Sequence, residues 1–302
     1  MELRIGLVGA GRLAEVGYLP ALAAASGVRL VAVAEPEPAR MARVAADAEA
    51  SAHPDAESLL ADAAVDALIL ATPASAHVAG ARLAAACGVP VLVEKPPAAT
   101  AAEAAELAAL DPAPRIAFNR RFARGAAALR AATPRGEQVG LVFEIGYRRA
   151  GWGAHTVADD ALADLGSHLV DLARWTTAAE VTEVLRADVA PERAEFDLAL
   201  GAARARIRCA TDQPYRERYA VRHRDGRLVG QRTEGGPLVA VRDRVLPRPH
   251  ALVASLTAQV EAFARVVRGE PEDVLGTAAD GVAVMTVIEA VRARAAPAGV
   301  RG

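Results

Sequence analysis

Leu3–Ala14 reads LRIGLVGAGRLA, and the fold follows from these twelve residues. The apolar run Leu3–Val8 predicts a strand, and Gly9-Ala10-Gly11-Arg12-Leu13-Ala14 follows it at once. A helix is expected next, over Glu15–Ser26. In a strand–GxGxxA–helix unit each small residue has a task. Gly9 permits the tight turn, Gly11 lets backbone approach a pyrophosphate, and Ala14 lets helix and strand pack closely. The first-turn N–H groups of Ala10, Arg12 and Leu13 and the helix dipole then suit an anion. A glycine-rich turn of this kind also occurs without any ligand, so the next strand has to decide.

That strand is Val28–Ala34, and it ends in Glu35. An acidic residue about 20 positions beyond the glycines is placed to accept from ribose hydroxyls. Its charge would repel a 2′-phosphate, which favours NAD; Arg40 is close enough to leave NADP possible. Strands and helices keep alternating: helix Pro38–Ala50, short strand Ser51–His53, short helix Ser58–Ala63, strand Val65–Ala71. A helix over Ser75–Ala86, a strand over Val89–Val93, a helix over Ala101–Leu110 and a sixth strand over Arg115–Phe118 complete the series. Such alternation implies right-handed crossovers and a doubly wound parallel sheet.

The fifth strand stops in Glu94-Lys95-Pro96-Pro97. Pro96 keeps Lys95 extended, so its ammonium should project from the strand's carboxyl end, where open α/β sheets bind ligands. Taken alone, it would be an ordinary surface lysine in a turn.

Beyond Phe118 the pattern changes. A helix to about Ala132 is followed by a long strand over Gln138–Tyr147 and a helix over Asp164–Trp175. Strands over Val181–Val189, Glu195–Leu200, Arg204–Ala210, Tyr215–His223 and Arg227–Arg232 follow, with turn signals at Asp225-Gly226 and Gly235-Gly236. This predicts a large open, mostly antiparallel sheet in an α+β domain, with helices at Ala251–Val267 and Thr277–Ala295 completing its covering layer. The expected division is 1–118 and 119–302. In the helix at Asp164, Leu165, Leu169 and Leu172 form a core face, while Asp164, His168, Asp171 and Trp175 share an adjacent stripe. Gly166 costs about 1 kcal/mol against Ala inside a helix, which makes sense if something approaches the backbone there.

Composition narrows the function. The chain has 302 residues, 53% hydrophobic and 24% charged, with a net charge of −2. Such a charge offers no case for nucleic acid or an anionic membrane as partner. Cys87 and Cys209 stand far apart, with no CxxC and no histidine beside them, which argues against a disulfide framework and against a metal site. Every long apolar stretch is interrupted before it could span a bilayer. A strand pattern from the first residues leaves no room for a signal peptide, so a cytoplasmic protein is expected.

GAGRLA, AEPEPAR, ATPASAH, VEKP, FNRRF and DLGSHLVDLARW, in this order between residues 5 and 175, resemble the Gfo/Idh/MocA oxidoreductases, relatives of glucose–fructose oxidoreductase and inositol dehydrogenase. The resemblance implies a Rossmann domain holding NAD(P) and a second domain that assembles dimers or tetramers through its sheet. It makes Lys95 the catalytic lysine and Asp164 and His168 the polar pair, with His168 donating or accepting the proton. It also places Asn119 and Arg120 toward the substrate, and Thr72, Pro73 and His77 beside the riboses of the cofactor; Trp152 is counted with the substrate contacts and Glu94 with the cofactor contacts. A cis Lys95–Pro96 bond is implied as well. Trp152, His155, Tyr147, Trp175 and Tyr219 are pocket candidates, with core or rim positions as the equal alternative. Two departures concern the substrate: Ala158–Ala163 replaces the glycine pair expected before the helix, and the second half is short.

The activity implied is hydride transfer between nicotinamide and a secondary alcohol or ketone of a sugar, cyclitol or nucleotide sugar. Imidazole, with an unperturbed pKa near neutrality, suits the proton transfer. The ammonium suits the developing alkoxide. That chemistry requires Lys95 and His168 to meet over one cofactor ring. The rivals are an NAD-recycling glycoside hydrolase or epimerase, and a non-catalytic NAD(P)-binding sensor.

Overall fold

The computed structural model of the chain describes residues 2–152, 160–235 and 250–295. The chain divides into two compact units: residues 1–123 with 249–282, and residues 124–248 with 283–302.

In the first unit the alternation read from the sequence is realised. β1 (Leu3–Val8), β2 (Val28–Ala34), β3 (Ser51–His53), β4 (Ala67–Leu70), β5 (Val91–Val93) and β6 (Arg115–Ile116) pair in parallel. The sheet order is β13-β6-β5-β4-β1-β2-β3, where β13 (Gly276–Thr277) returns late in the chain and runs antiparallel to β6. Chain order reverses between β1 and β4, the place where doubly wound sheets open a crevice. The crossover helices are α1 (Leu19–Ala24), α2 (Pro38–Asp47), α3 (Ala56–Asp62), α4 (Ala74–Ala86) and α5 (Ala101–Ala108). Ends fall where capping chemistry puts them. Asp55 accepts from the Ser58 N–H at 2.8 Å, and Thr100 accepts from the Glu103 N–H at 3.1 Å.

Two expectations are corrected here. The helix expected over Glu15–Ser26 begins as a π-helical turn, Ala14–Tyr18, and only then becomes α1. π-turns insert a residue into a helix and tend to occur where function needs a side chain re-aimed. The second correction concerns Ala251–Val267, which was expected to cover the C-terminal sheet. It belongs to the first unit, where Leu256, Val260 and Phe263 join the core of Ile5, Leu7, Tyr18 and Leu22. Residues 249–282 therefore return to the unit of residues 1–123, and the division at 118 does not describe them. The physical cause is complementarity with the π-turn. A Cβ on Gly17 would lie 2.7 Å from a Leu256 methyl group, so the helix closes on a surface without a side chain.

The second unit contains α6 (Ala126–Ala132), β7 (Val139–Arg148), a π-turn at Leu162–Gly166 leading into α7 (Ser167–Thr177), and β8 (Val181–Ala190) to β12 (Leu228–Gly235). Between these last two lie β9 (Arg193–Leu200), β10 (Ala203–Ala210) and β11 (Asp212–His223). The order is β12-β11-β7-β10-β9-β8, antiparallel except for the β7–β10 pair. Period-2 alternation sorts its faces. Phe143, Ile145, Phe196, Leu198, Ile207 and Tyr219 are buried, while Arg204, Arg206 and Arg208 point outward. With Ala251–Val267 numbered α8, the last helix is α9 (Ala278–Ala295). No helix among the described residues is long and apolar enough to cross a membrane, and no group of metal-ligating side chains occurs among them.

Candidate active site

The crevice of the first unit is lined by the carboxyl ends of β1, β4 and β5. Gly9 has φ +93°, and a Cβ there would lie 2.7 Å from the Ala71 carbonyl oxygen. The turn therefore requires glycine both for its dihedral and for its proximity to the end of β4. A Cβ on Gly11 would meet nothing within 4 Å. That open space beside the start of a helix fits a pyrophosphate approaching the backbone. Arg12 is exposed and pairs with Glu15 at 3.7 Å, and Leu13 precedes the π-turn.

Glu35 stands at the end of β2 as expected, but its carboxylate is already at work. One oxygen accepts from the Ala10 N–H at 2.8 Å, the other from the Glu37 N–H at 3.2 Å and from Arg40 Nη1 at 3.1 Å. Ala10 is thus tied to β2 and does not offer its N–H to a phosphate. Arg40 remains partly exposed beside the carboxylate.

At the end of β4, Pro73 precedes α4 and the Thr72 hydroxyl oxygen is buried with no hydrogen-bond partner among the described residues. His77 is not at the crevice surface. It is 1% exposed, with Nε2 2.9 Å from the Thr72 carbonyl and Nδ1 3.2 Å from the Pro97 carbonyl. It braces the loop after β4 against the loop after β5. Burial holds its pKa below the usual imidazole value, against the opposing pull of the carbonyls.

Lys95 follows β5, and the Lys95–Pro96 bond is cis. Glu94 is buried beneath it. One carboxylate oxygen accepts from the Lys95 N–H at 2.9 Å and the other from the Tyr18 hydroxyl at 2.6 Å. Burial pushes the Glu94 pKa up, while the charges of Lys95 and Arg120 and the Tyr18 hydroxyl pull it down. Of the arginine pair in FNRRF, Arg121 is structural, held by Asp280 at 3.1 Å and the Val274 carbonyl at 3.1 Å. Arg120 is the partner left within electrostatic range of Glu94. Asn119 is buried and donates to the Ser255 hydroxyl at 3.2 Å, and its carbonyl oxygen has no partner among the described residues.

In the second unit α7 is buried on every side, so the stripe beside its leucine face is not a solvated one. His168 is 6% exposed. The Asp164 carboxylate accepts from the Tyr147 hydroxyl at 2.6 Å and from Arg149 Nη2 at 3.0 Å. Burial and the neighbouring Asp164 charge raise the Tyr147 pKa, so the phenol stays protonated and donates. A Cβ on Gly166 would lie 2.9 Å from a Leu162 methyl group, so the close approach anticipated there is core packing. Trp175 and Tyr219 are core residues. Arg130 lies 4.5 Å over the Trp175 ring, and Tyr219 meets Phe143 edge-on at 5.3 Å. His155 and the side chain of Trp152 lie outside the described residues.

Sequence reasoning did not find Tyr18, Gln259, Tyr147 or Arg149 as partners of the candidate residues. One signal for Lys95 was available in the composition: among 35 lysines and arginines it is the only lysine. An ammonium differs from a guanidinium in being a compact donor on a flexible stem rather than a planar fork.

Residues 3–112 match the family described as oxidoreductase family, NAD-binding Rossmann fold, of the Gfo/Idh/MocA type. Over these residues the chain is similar to the Gfo/Idh/MocA oxidoreductases. The Gfo/Idh/MocA match ends before the second unit, for which the likeness to solved structures shows the fold. Myo-inositol 2-dehydrogenase from Lactobacillus plantarum superposes with a TM-score of 0.82 at 17% identity, covering 98% of this chain and 97% of that one. The scyllo-inositol dehydrogenase from Lactobacillus casei, solved with NAD(H) and scyllo-inositol, gives 0.81 at 16% identity, with 97% of each chain covered. UDP-N-acetylglucosamine 3-dehydrogenase GnnA from Acidithiobacillus ferrooxidans gives 0.76 at 24% identity, covering 97% of this chain and 98% of that one. No curated protein matches the chain in sequence.

Proposed function

We propose that the protein is an NAD(P)-dependent dehydrogenase or reductase acting on a secondary alcohol or ketone of a sugar, cyclitol or nucleotide sugar. The observation that carries this reading is the position of the only lysine. Lys95 leaves β5 at the crevice of a Gfo/Idh/MocA Rossmann domain whose glycine turn has room for a pyrophosphate. Gly11, Arg12 and Leu13 would hold the pyrophosphate, and Glu35 with Arg40 the adenosine ribose; Thr72 and Pro73 would lie beside the riboses. The nicotinamide supplies hydride chemistry when bound. The chain's own residues handle charge and protons. Lys95 donates to the substrate oxygen and stabilises an alkoxide there. His168 takes or returns the hydroxyl proton, and Asp164, fixed by Tyr147 and Arg149, orients the polar end of the substrate. Asn119, Arg120 and Trp152 complete the substrate contacts. Glu35 favours NAD over NADP. By the same resemblance the protein works as a homodimer or homotetramer through the exposed face of the six-stranded sheet.

The test is a screen of NADH and NADPH oxidation, and of NAD and NADP reduction, against ketosugars, cyclitols and nucleotide sugars. With a substrate in hand, Lys95→Arg and His168→Ala should each lower turnover roughly 10²–10⁴-fold while nicotinamide binding persists. Turnover at the normal rate in Lys95→Arg would remove the lysine from the mechanism, and no redox turnover across the panel would remove the reading.

A further inference from the structure

Beneath Lys95 lies a chain of buried polar groups that the proposed chemistry does not use directly. The Tyr18 hydroxyl is fully buried at the end of the π-turn Ala14–Tyr18 and donates to Glu94 at 2.6 Å. Gln259, on α8 and also 0% exposed, donates its amide N–H to the Tyr18 oxygen at 3.3 Å. The far oxygen of Glu94 accepts the Lys95 N–H at 2.9 Å. Two segments of the first unit thus meet at a single carboxylate, the π-turn after the glycine loop and the end of β5, and α8 joins them through the Tyr18 hydroxyl.

Burying such a set is costly where members stay unpaired, and the Gln259 carbonyl oxygen has no partner among the described residues. A tyrosine and a glutamine with no polar neighbours would be better replaced by Phe and Leu, which pack in the same volume with nothing to satisfy. Tyrosine O–H has one proton, and here it is given to Glu94, so Gln259 must act as the donor toward Tyr18. The arrangement therefore has a direction, running from Gln259 through Tyr18 to Glu94, and its last link is the backbone of the only lysine. The π-turn supplies a second, independent sign that this residue was aimed: such turns re-orient a helical side chain at some loss of regular hydrogen bonding. Among the described residues, the charged and titratable groups acting on the Glu94 carboxylate include Lys95, Tyr18 and Arg120.

We propose that Tyr18 and Gln259 are positioning residues for Lys95, acting through Glu94: they fix the carboxylate that in turn fixes the backbone from which the ammonium projects. The inference rests on the dehydrogenase reading for its purpose, but not for its test. Tyr18→Phe keeps the ring and deletes the hydroxyl. A hydrogen bond from Tyr18 favours the charged form of Glu94, so removing it moves the Glu94 titration to higher pH.

Only two primary amines are present in a chain with one lysine, so trace acetylation with acetic anhydride, read by mass spectrometry, reports Lys95 against the N-terminal amine without any substrate. For Tyr18→Phe we expect the Lys95 labelling ratio at fixed pH to change at least threefold. Gln259→Leu should move it in the same direction by less. With a substrate identified, kcat for Tyr18→Phe should fall roughly tenfold to a hundredfold, as expected for one lost hydrogen bond to a charged group, with the KM for nicotinamide unchanged. The acid limb of its pH profile should move upward. Melting temperature serves as the control for a merely structural role. Labelling and pH profiles that coincide with those of the parent protein, with or without a lowered melting temperature, would overturn the inference. Failure to find a substrate would count against the dehydrogenase reading alone, because the labelling contrast is read regardless.

Discussion

A neutral imidazole has one N–H, and His77 faces two carbonyls. It can donate to only one at a time, and protonation would serve both, yet burial is the larger effect and keeps the ring neutral. The sign of the consequence is fixed. A histidine whose folded pKa is depressed binds fewer protons in the native state, so its neutral form contributes stability in full above about 6.5, the unperturbed value. That contribution is lost as pH falls through the depressed folded value. Melting temperature measured between about pH 8 and about pH 5 should therefore fall less steeply in His77→Gln than in the parent protein. Parallel curves would show that His77 carries no linked proton. None of this could be read from ATPASAH, which presents His77 as a residue near a ribose. Its two carbonyl neighbours come from loops that the fold brings together. Lys95 is the opposite case: its place after an apolar strand and before a proline was legible, and so was its isolation among arginines.

α8 is where element-scale reading failed. Its length and apolar spacing predict a helix over Ala251–Val267, and the helix has those bounds. What the pattern does not contain is the identity of the surface it covers. The surface is in the first unit, where Phe263 is 1% exposed and Gly17 leaves space for Leu256. Phe263→Ala should cost about 3–5 kcal/mol through lost burial and the cavity left behind, measured by denaturant unfolding. The unfolding transition that shifts should be the one protected by NAD, because the helix serves the unit with the glycine turn. A shift confined to a transition insensitive to NAD would contradict the assignment of α8 to that core. The same helix carries Ser255 and Gln259 one turn apart, both buried, which explains polar residues on a core-facing stripe.

Each unit is built on one sheet, of seven strands in the first and six in the second. The parallel sheet is covered by helices; the six-stranded sheet shows a ladder of charges on its outer face. Arg206 stands opposite Asp197 at 2.9 Å, and Arg208 opposite Glu195 at 3.2 Å and near Glu144 at 2.7 Å. Opposite charges across neighbouring strands help to fix register. They also discourage the edgewise and apolar association that an exposed sheet invites. If copies of the chain assemble through this face, the contact is rich in charge, and surface ion pairs weaken as salt shortens the Debye length. Sedimentation velocity should show the oligomer at about 0.1 M salt and a smaller species at about 1 M. Arg206→Glu should have the same effect at low salt. An oligomer indifferent to both changes would place its interface elsewhere.

By itself the sequence determined the kind and order of the elements, because strand and helix are set by local period and by glycine and proline punctuation. It also determined the glycine turn, Glu35 and Lys95, which sit at strand ends that any parallel sheet gathers along one edge. Only the tertiary structure decided which buried groups answer one another. Glu94 finds Tyr18 across 76 positions and Tyr18 finds Gln259 across 241. Hydrogen bonds at such separations leave no periodic trace, since the chain between them is free to vary while packing alone fixes the distance.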